Sequence, residues 1–311
     1  MRVLFVSSGN RNRIAPFVFE QGIALKNAGI ELEFFLIKGK GITGYLKNIK
    51  KLKTKISEFN PDLLHAHFGL SGAVACMQNL KPKVVTFHGT DISNKKNNVI
   101  SSFVSKAADY IITVNERMPG QLYFKLKKNF SVVSCGVDLL NFVPVDKSEA
   151  RLQLGWNQEE KVILFASAFS NPIKNYPLAE RAVESIGNEF KSIKIIELKD
   201  KAREEVNLLL NASDLLLVTS LSEGSPQIVK EAMACNCPIV STDVGDVKSV
   251  VDGTAGCYIT SFDYQDISEK IKLVFVNNKR IESREKIEYL SNDLVVKQLI
   301  EIYYKVLRLN L

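Results

Sequence analysis

Short apolar runs rich in β-branched residues alternate along the chain with longer stretches in which apolar residues recur every three or four positions. The short runs are typical of buried strands and the longer stretches of amphipathic helices. Strand, helix and strand in that order predict βαβ units, which form a parallel sheet with helices on both faces. Strands are predicted at Val3–Ser7, Glu31–Leu36, Leu63–Ala66, Val84–Phe87, Tyr110–Val114, Ser131–Ser134, Val162–Ala166, Ile193–Leu198, Leu215–Thr219, Pro238–Thr242 and Gly256–Ile259. Helices are predicted at Phe17–Ala28, Leu46–Phe59, Gly72–Asn79, Val99–Ala107, Tyr176–Ile186, Ala202–Ala212, Pro226–Ala234, Asp266–Asn277 and Leu294–Leu307.

The alternation breaks once, at a polar connection over residues 136–156, and then restarts. A length of 311 residues also suits two domains of about 150 residues each. We therefore predict an α/β fold with two doubly wound, Rossmann-like domains that face each other across a cleft. The first domain comprises residues 1–143 together with a last helix at about 292–311, and the second comprises residues 144–291. Ligands of such sheets bind beyond the carboxyl ends of the strands, so functional residues are expected in the strand-end loops.

The segment SLSEGSPQIVKEAMA, residues 220–234, follows a predicted strand and turns at Gly224 and Ser225. Pro226 suits the first helical position, where its missing N–H costs nothing. The N–H groups of Gly224, Ser225 and Gln227 would then lie at the positive end of the helix dipole. Such a helix start binds anions or sugar hydroxyls.

Two glutamates belong to this segment. Glu223 lies in the loop, and Glu231 lies on the second turn of the helix, on the face that carries Gln227. One carboxylate can accept hydrogen bonds from sugar hydroxyls and the other from a ribose diol. Alternatively, Glu223 caps the helix and Glu231 is a solvated surface charge. The apolar neighbours of Glu231, among them Ile228, favour a buried face over the surface.

The three histidines of the chain lie at or just after the ends of predicted strands. His65 and His67 point to the same face of a strand, and a metal site there lacks further ligands at suitable spacing. His67 is either a structural residue or an acceptor-side candidate. His88 is followed by a glycine that lets the backbone approach a ligand, so we expect it at a ligand site. Asp91 lies three residues further along the same segment.

Two further strand-end loops carry candidates. Lys174 precedes a predicted helix, where a lysine can meet a diphosphate. Ser7-Ser8-Gly9-Asn10 follows the first strand but is not the GxGxxG fingerprint of dinucleotide-binding proteins, which leaves NAD binding with little support. Nearby Arg11 and Arg13 either meet phosphate or an anionic acceptor or are solvated.

The net charge is +7, and Lys38–Lys55 contains seven lysines and no acidic residue. Such an excess attracts an anionic membrane surface, a polyanion or a phosphate-rich substrate. No basic motif interleaved with aromatic residues indicates nucleic-acid binding. The five cysteines lack a CxxC pair and are predicted to be reduced thiols of a cytoplasmic protein, with no metal site. Neither a membrane span nor a signal peptide is expected.

Several segments resemble the GT4 family of retaining GT-B glycosyltransferases. EGSPQIVKE followed by AMACNCPIVSTDVGD is similar to the EX7E motif of that family. GVDLLNFVPVDKSEARLQLG resembles its interdomain linker, PDLLHAHFGLSG and VVTFHGTD resemble its first-domain loops, and IEIYYKVLRL resembles its final crossover helix. The likeness spans nearly the whole chain. One departure is Phe169, which stands about where the family carries an arginine beside the lysine.

The resemblance implies a nucleotide-diphosphate-sugar donor held mainly by the second domain, no metal or cofactor, and transfer with retention to an acceptor hydroxyl. The acceptor would be lipid-linked or a saccharide, in bacterial cell-surface polysaccharide or glycolipid assembly, with the protein peripheral on the inner face of the membrane. The implied catalytic residues are His88, Asp91 and Glu223. His88 would contact the sugar or stabilise charge developing at the anomeric centre, and Asp91 would orient His88 or the acceptor. The implied donor-binding residues are Gly9, Lys174, Glu223, Gly224, Ser225, Gln227, Ile228 and Glu231.

Two other functions remain open from the sequence. The fold also suits a nucleotide-sugar 2-epimerase, which needs further acid and base groups at the reacting carbon. Phe169 keeps open a non-catalytic, transferase-like subunit of a polysaccharide assembly system.

Overall fold

The computed structural model describes residues 1–10, 14–126, 129–190 and 192–308. The chain forms two compact units. Unit 1 consists of Met1–Cys135 and Asn292–Leu311, and unit 2 of Gly136–Ser291. Residues 136–143, which the sequence analysis assigned to the first domain, belong to unit 2 because Val137 and Phe142 are buried in its core.

Unit 1 contains a six-stranded parallel sheet in the order β2-β1-β3-β4-β5-β6. Its strands are β1 (Arg2–Ser8), β2 (Glu31–Ile37), β3 (Leu63–His67), β4 (Lys83–Phe87), β5 (Tyr110–Thr113) and β6 (Phe130–Val132). Its helices are α1 (Pro16–Asn27), α2 (Gly41–Leu46), α3 (Asn48–Phe59), α4 (Gly69–Cys76), α5 (Thr90–Ser93), α6 (Lys95–Ala107) and, from the end of the chain, α14 (Asn292–Leu307).

The side chains of this sheet alternate between two apolar layers. Leu4, Val6 and Leu64 pack with α3, α4 and α6 on one face. On the other face, Val3 and Phe5 pack with α1 and α14. Both layers exclude water from the strands, which explains why the strands are continuous apolar runs.

Unit 2 contains a five-stranded parallel sheet in the order β11-β10-β9-β7-β8. Its strands are β7 (Lys161–Phe165), β8 (Ile193–Glu197), β9 (Leu215–Val218), β10 (Ile239–Thr242) and β11 (Cys257–Thr260). Its helices are α7 (Lys147–Leu154), α8 (Tyr176–Glu184), α9 (Arg203–Ala212), α10 (Gln227–Ala234), α11 (Val247–Val251), α12 (Tyr264–Asn277) and α13 (Arg284–Ile287).

The two units share one strand order. In each, the second strand lies on one side of the first, and the third, fourth and fifth strands follow on the other. The order reverses between β1 and β3 in unit 1 and between β7 and β9 in unit 2. The helices that follow these strands leave in opposite directions, which opens a crevice at the carboxyl ends. The predicted α/β fold with two doubly wound domains is confirmed.

Beyond shifts of a few residues in the ends of elements, three expectations from the sequence differ from the structure. The polar connection contains α7, which Asp146 caps by accepting from the N–H groups of Ser148 and Glu149. The helix predicted at Leu46–Phe59 is two helices, α2 and α3, joined where the buried side-chain amide of Asn48 donates to backbone carbonyls. Pro226 precedes α10 instead of opening it, because its ψ of 113° is extended.

Candidate functional site

Glu223 follows β9 and pairs with Lys174 from the loop after β7. The Nζ atom of Lys174 lies 2.5 Å from Oε1 of Glu223, and the Ser220 hydroxyl donates to the same oxygen at 2.6 Å. Both charged side chains are mostly buried, with 20% and 14% of their surface exposed. These loops follow the two strands between which the sheet order reverses. The structure therefore brings together two predicted residues that lie 49 positions apart in the sequence.

Glu231 lies on α10 and pairs with Arg203, the first residue of α9, at 2.6 Å. Its carboxylate is only 2% exposed, and burial raises its pKa while Arg203 opposes the shift. The guanidinium of Arg203 also lies over the ring of Phe142, 4.6 Å from the centroid. Glu231 is therefore buried and paired with a cation, and it is not a solvated surface charge.

The turn between Glu223 and α10 is tightly packed. Gly224 and Ser225 are buried, and Gly245 approaches Gly224 so closely that a Cβ added at Gly245 would lie 2.4 Å from the Gly224 oxygen. The side chain of Gln227 donates to the Gly136 oxygen at 3.2 Å, and Ile228 packs against the core of unit 2. The candidate residues at this helix start are therefore held in one backbone conformation.

A buried polar network below this turn was not singled out from the sequence. Lys230 is completely buried, and its Nζ atom bonds to the Ser225 hydroxyl and to Oδ2 of Asp246, the latter at 2.9 Å. The Ser225 hydroxyl donates to the same carboxylate oxygen at 2.7 Å. The network thus links the loop after β9 to the loop after β10. A lysine amid apolar helix residues, with an aspartate just after the next strand, was the signal available in the sequence.

Phe169 occupies an apolar place beside the candidate site. Its ring stacks on Tyr176 with centroids 3.9 Å apart and contacts Phe165 at 5.6 Å. Its backbone N–H donates to Glu197 at 2.8 Å. The cation that this loop places beside Glu223 is therefore Lys174, because the phenylalanine at position 169 carries no charge.

In unit 1, Gly9 follows β1 and donates its N–H to the Ile37 oxygen at 2.8 Å. A Cβ added at Gly9 would lie 2.8 Å from the Cβ of Leu36, so the position has room for glycine alone. Arg11 and Arg13 lie outside the described residues.

His88 lies in the loop after β4, and Asp91 lies in the first turn of α5, which follows that loop. Gly89 has a φ of +114°, which favours glycine at this position. The buried carboxylate of Asp91 accepts from the N–H groups of His88 (3.0 Å), Gly89 (2.9 Å) and Gly69 (3.1 Å). Burial raises the pKa of Asp91 to about 6, against the effect of these hydrogen bonds. Asp91 therefore orients the backbone of His88 and links it to the loop after β3.

His65 and His67 lie on β3 behind His88. His65 bonds to the hydroxyls of Tyr303 (2.6 Å) and Thr86 (2.7 Å), and burial lowers its pKa to about 3. His67 is completely buried, and its Nδ1 atom lies 3.1 Å from Nε2 of His88. His67, an acceptor-side candidate in the sequence, therefore contacts His88 within the fold and has no surface of its own.

The lysine-rich segment forms α2, α3 and the turn before them. Lys38, Lys40, Lys47, Lys50, Lys51 and Lys53 are exposed, whereas Lys55 pairs with Glu33. The apolar stripe of α3 is buried in unit 1. None of the helices in the described ranges is both long and apolar enough to cross a membrane.

Within the described ranges, no three histidine, cysteine or acidic side chains cluster as a metal site would require. The five cysteines are free thiols, and burial raises the pKa of Cys257 to about 12. The polar groups at the strand ends thus fall into two sets: three paired carboxylates in unit 2 and a group of uncharged imidazoles in unit 1.

Two family models match the chain. The model described as Glycosyl transferases group 1 matches residues 180–291, and the model described as Glycosyltransferase Family 4 matches residues 14–140. An uncharacterised glycosyltransferase of Methanocaldococcus jannaschii is 30% identical over 285 residues, which cover 82% of this chain and 77% of that protein.

Solved structures share the fold over nearly the whole chain. Sucrose-phosphate synthase from Thermosynechococcus elongatus has a TM-score of 0.82 at 16% identity and covers 99% of both chains. HepE from Anabaena, in complex with UDP and glucose, has a TM-score of 0.76 at 16% identity and covers 98% of this chain and 100% of its own. These structures confirm the predicted GT-B fold.

Proposed function

The chain belongs to the group 1, family 4 glycosyltransferases, and from this premise we propose that it transfers a sugar from a nucleotide-diphosphate-sugar to an acceptor hydroxyl. The observation that carries the proposal is the pair of cation-bound glutamates, Glu223 and Glu231, at the carboxyl edge of the unit 2 sheet. HepE, which has the same fold, is known in complex with UDP and glucose.

Each ion pair suits one part of such a donor. Lys174 would leave Glu223 for the diphosphate, where it stabilises the negative charge that builds on the leaving group. Glu223 would then accept hydrogen bonds from the sugar hydroxyls. Glu231 would accept from the ribose, with Arg203 keeping its buried carboxylate charged. The start of α10, with Gly224, Ser225, Gln227 and Ile228, adds a positive helix terminus at the same edge.

His88 contributes from unit 1 in this proposal by contacting the sugar or the acceptor near the reacting carbon. Asp91 holds the backbone of His88, and the backbone of Gly9 after β1 is a further candidate contact of the donor phosphates. The reaction is expected to need no metal and no cofactor, since lysine, arginine and helix-terminus groups supply the positive charge. Activity should therefore persist in EDTA.

The direct test measures both sugar transfer and binding with a panel of nucleotide-sugars. Glu223→Gln and Lys174→Met should each lower kcat/KM by about 10²–10³, the effect of losing one charge-stabilising group. Glu269→Gln is the matched control, because Glu269 pairs with Lys272 on the exposed face of α12. Wild-type protein that binds no nucleotide-sugar would exclude this function and favour the non-catalytic subunit. Isomerised donor without acceptor would favour the 2-epimerase.

Retention of the anomeric configuration is part of the proposal. Both glutamates are engaged by cations, an arrangement that suits gripping the donor more than attacking it as a nucleophile. The leaving diphosphate and the incoming hydroxyl would share one face of the sugar. The product anomer, measured by proton NMR during single turnover, decides this point, and an inverted product would contradict it.

The acceptor is proposed to be lipid-linked or a saccharide, in bacterial cell-surface polysaccharide or glycolipid assembly, with the enzyme at the cytoplasmic membrane surface. The exposed lysines of Lys38–Lys55 support this location because they attract anionic lipid. The layer formed by α3, α4 and α6 also exposes Phe103 on α6 and Tyr123 beside it, at 62% and 60%. Exposed lysines and exposed aromatic side chains on one layer of helices suit a lipid headgroup region.

Vesicle sedimentation tests this location. Replacing three exposed lysines by glutamine should weaken binding to phosphatidylglycerol vesicles about 100-fold, at about 1 kcal/mol per lysine. The three replaced residues are Lys47, Lys50 and Lys51. The control removes the same charge from unit 2, at Lys199, Lys248 and Lys279. Equal weakening by both triple variants would mean that net charge alone drives binding.

A further inference from the structure

A small pocket opens at the amino ends of the unit 2 strands, on the edge opposite to the one that carries Glu223. It is lined by Lys147, Asp214, Val274, Asn278, Lys279 and Arg280. Asp214 directly precedes β9, whose four residues rise about 3.3 Å each, so about 13 Å of strand separates it from the carboxyl edge. The pocket is therefore separate from the candidate donor site.

One carboxylate serves several cations in this pocket. Asp214 accepts from Lys147 at 3.0 Å and from the buried guanidinium of Arg151 at 2.8 Å. Arg280 donates instead to three backbone carbonyl oxygens at 2.7–3.2 Å. Neither Arg280 nor the exposed Lys279 forms an ion pair with a carboxylate in the described part of the chain. The single negative charge of Asp214 is thus already shared by two cations before these two are counted.

Two lysines beside the pocket share one uncharged oxygen. Asn278 ends α12, and its Oδ1 atom accepts from Lys161 at 3.0 Å and from Lys147 at 3.3 Å. The two ammonium groups repel each other, and an amide oxygen carries no net charge to offset the repulsion. Burial lowers the pKa of Lys161, and the charges of Lys147 and Arg151 lower it further, whereas Asp214 opposes the shift. The cluster is therefore short of negative charge.

The other negative groups nearby do not remove this shortage. The carbonyl ends of α9 and α10 hold the Arg280 guanidinium, and such a helix end carries about half an elementary charge. Glu159 is exposed, and its effect on Lys161 is weaker than that of Asp214. Among the described residues, Lys147 and Lys279 therefore face the pocket with positive charge that no further carboxylate balances.

We propose that this pocket binds a phosphate group, either as inorganic phosphate or as the phosphate ester of a small metabolite. A phosphate has several acceptor oxygens, which suit the separate ammonium groups of Lys147 and Lys279 and the guanidinium of Arg280. It also supplies the negative charge that the cluster lacks. The pocket is open to solvent, so the rest of an esterified molecule can remain outside.

Calorimetric titration of the full chain with inorganic phosphate tests this site. The starting protein is the Lys174→Met variant, because Lys174 belongs to the site proposed for the donor diphosphate. At constant ionic strength one phosphate should bind per chain, and chloride, which has no oxygens to distribute among the three cations, should not. No phosphate binding, or equal binding of chloride, would overturn the proposal.

Two substitutions locate the bound phosphate. Lys147→Met and Lys279→Met, each added to the starting protein, remove one charged donor and should weaken phosphate binding about tenfold. Lys279 is exposed, so its replacement leaves the fold intact. Lys248→Met is the matched control, because it removes the same charge from an exposed position on α11 of unit 2. Unchanged binding in both pocket variants, or equal weakening in all three, would contradict the proposed site.

The stability of unit 2 gives a second measurement. In phosphate-free buffer of low ionic strength, Lys161→Met should not lower the urea midpoint followed by Trp156 fluorescence, because the substitution relieves repulsion. Phosphate should raise the midpoint of the starting protein more than that of Lys161→Met, since a ligand of the folded state stabilises it in proportion to its affinity. A lowered midpoint with an equal response to phosphate would mean that the cluster has only a structural role.

A comparison of inorganic phosphate with glycerol 2-phosphate distinguishes the two sources of the phosphate group. Tighter binding of inorganic phosphate would identify the free anion as the ligand, and tighter binding of the ester would identify a phosphorylated metabolite. Both results support the site. None of these measurements requires sugar transfer, so an inactive protein that binds phosphate would refute the proposed function alone. An active protein that binds none would refute the phosphate site alone.

Discussion

Each unit has a buried aspartate that joins two neighbouring loops at the carboxyl edge of its sheet, and the two do so differently. Asp91 in unit 1 accepts from the backbone N–H groups of His88, Gly89 and Gly69. Asp246 in unit 2 pairs with the ammonium group of Lys230 and accepts from Ser225. Both follow the fourth strand of their sheet, counted in chain order within each unit, so they occupy equivalent places in the shared topology.

This difference fits the groups that each edge is proposed to bind. Unit 2 would bind the charged diphosphate of the donor, whereas His88 of unit 1 would contact the sugar or the acceptor. In unit 2 the carboxylates of Glu223, Glu231 and Asp246 each have their own cation. Paired charges can be exchanged for phosphate and hydroxyl groups without leaving an isolated charge in the fold. In unit 1 the imidazoles are uncharged and Asp91 is satisfied by neutral donors. The stability of unit 1 should therefore depend on pH, and the stability of unit 2 should fall when either member of an ion pair is lost.

The largest effect is expected for Asp246→Asn. This change leaves the fully buried ammonium of Lys230 without its carboxylate, which should cost about 3–5 kcal/mol of the free energy of unfolding of unit 2. Urea unfolding followed by the fluorescence of Trp156 measures this, since the chain has one tryptophan and it lies in unit 2.

The same measurement has two controls. Adding Lys230→Met to Asp246→Asn removes the isolated charge and should recover at least half of the lost stability. Asp252→Asn makes the same chemical change at an exposed residue of unit 2 and should stay within about 0.5 kcal/mol of the wild type. A double variant as unstable as Asp246→Asn would show that the ion pair is not the cause.

A smaller effect is expected for Asp91→Asn in unit 1. The amide keeps one oxygen for the backbone N–H groups and loses at least one of their hydrogen bonds, at a cost of about 1–3 kcal/mol. Hydrogen exchange of the Gly69 and Gly89 amides measures it. Because the pKa of Asp91 is raised to about 6, the penalty should shrink below that pH, where the wild-type carboxyl is itself protonated. A penalty equal to that of Asp246→Asn would remove the distinction between the two aspartates.

Many of the residues at the carboxyl edges of the two sheets could be predicted from the sequence. The period-two and helical patterns locate the strands, and parallel topology then puts the loops after β4, β7 and β9 at the carboxyl edges. That was enough to select His88, Lys174 and Glu223. Local capping signals were available but were overlooked at α7, where Asp146 begins the helix and Gly155 ends it.

The pairings were harder to predict because they join different βα units. Arg203 and Glu231 lie 28 positions apart and meet only when α9 and α10 pack side by side. Lys230 follows Val229 on a helix, and local sequence alone does not distinguish a buried lysine from a solvated one. Its partner Asp246 follows the next strand, so the pair depends on the sheet order.

The effect that is smallest at neutral pH, and that grows only with acid, is a change in the pH dependence of unit 1. Burial lowers the pKa of His65 from its usual 6.5 to about 3, so the folded state stays neutral where the unfolded state takes up a proton. The stability that His65 contributes is present above pH 6.5 and is lost as the pH falls towards 3. One such proton corresponds to about 1 kcal/mol per pH unit. His67 and His88 act in the same direction, and Asp91 opposes them between its two pKa values.

The variant His65→Gln isolates the contribution of His65 to the pH dependence of stability. Glutamine does not titrate, so the stability of unit 1 should fall less steeply with acid, by about 1 kcal/mol per pH unit, whatever the variant loses at neutral pH. Hydrogen exchange of unit 1 amides between pH 4 and pH 6.5 gives the slope, and Trp156 fluorescence gives the reference slope of unit 2. An identical slope in wild type and variant would mean that His65 is protonated in the folded state. The description of the unit 1 imidazoles as uncharged would then be wrong, and with it the contrast between an uncharged edge in unit 1 and a paired one in unit 2.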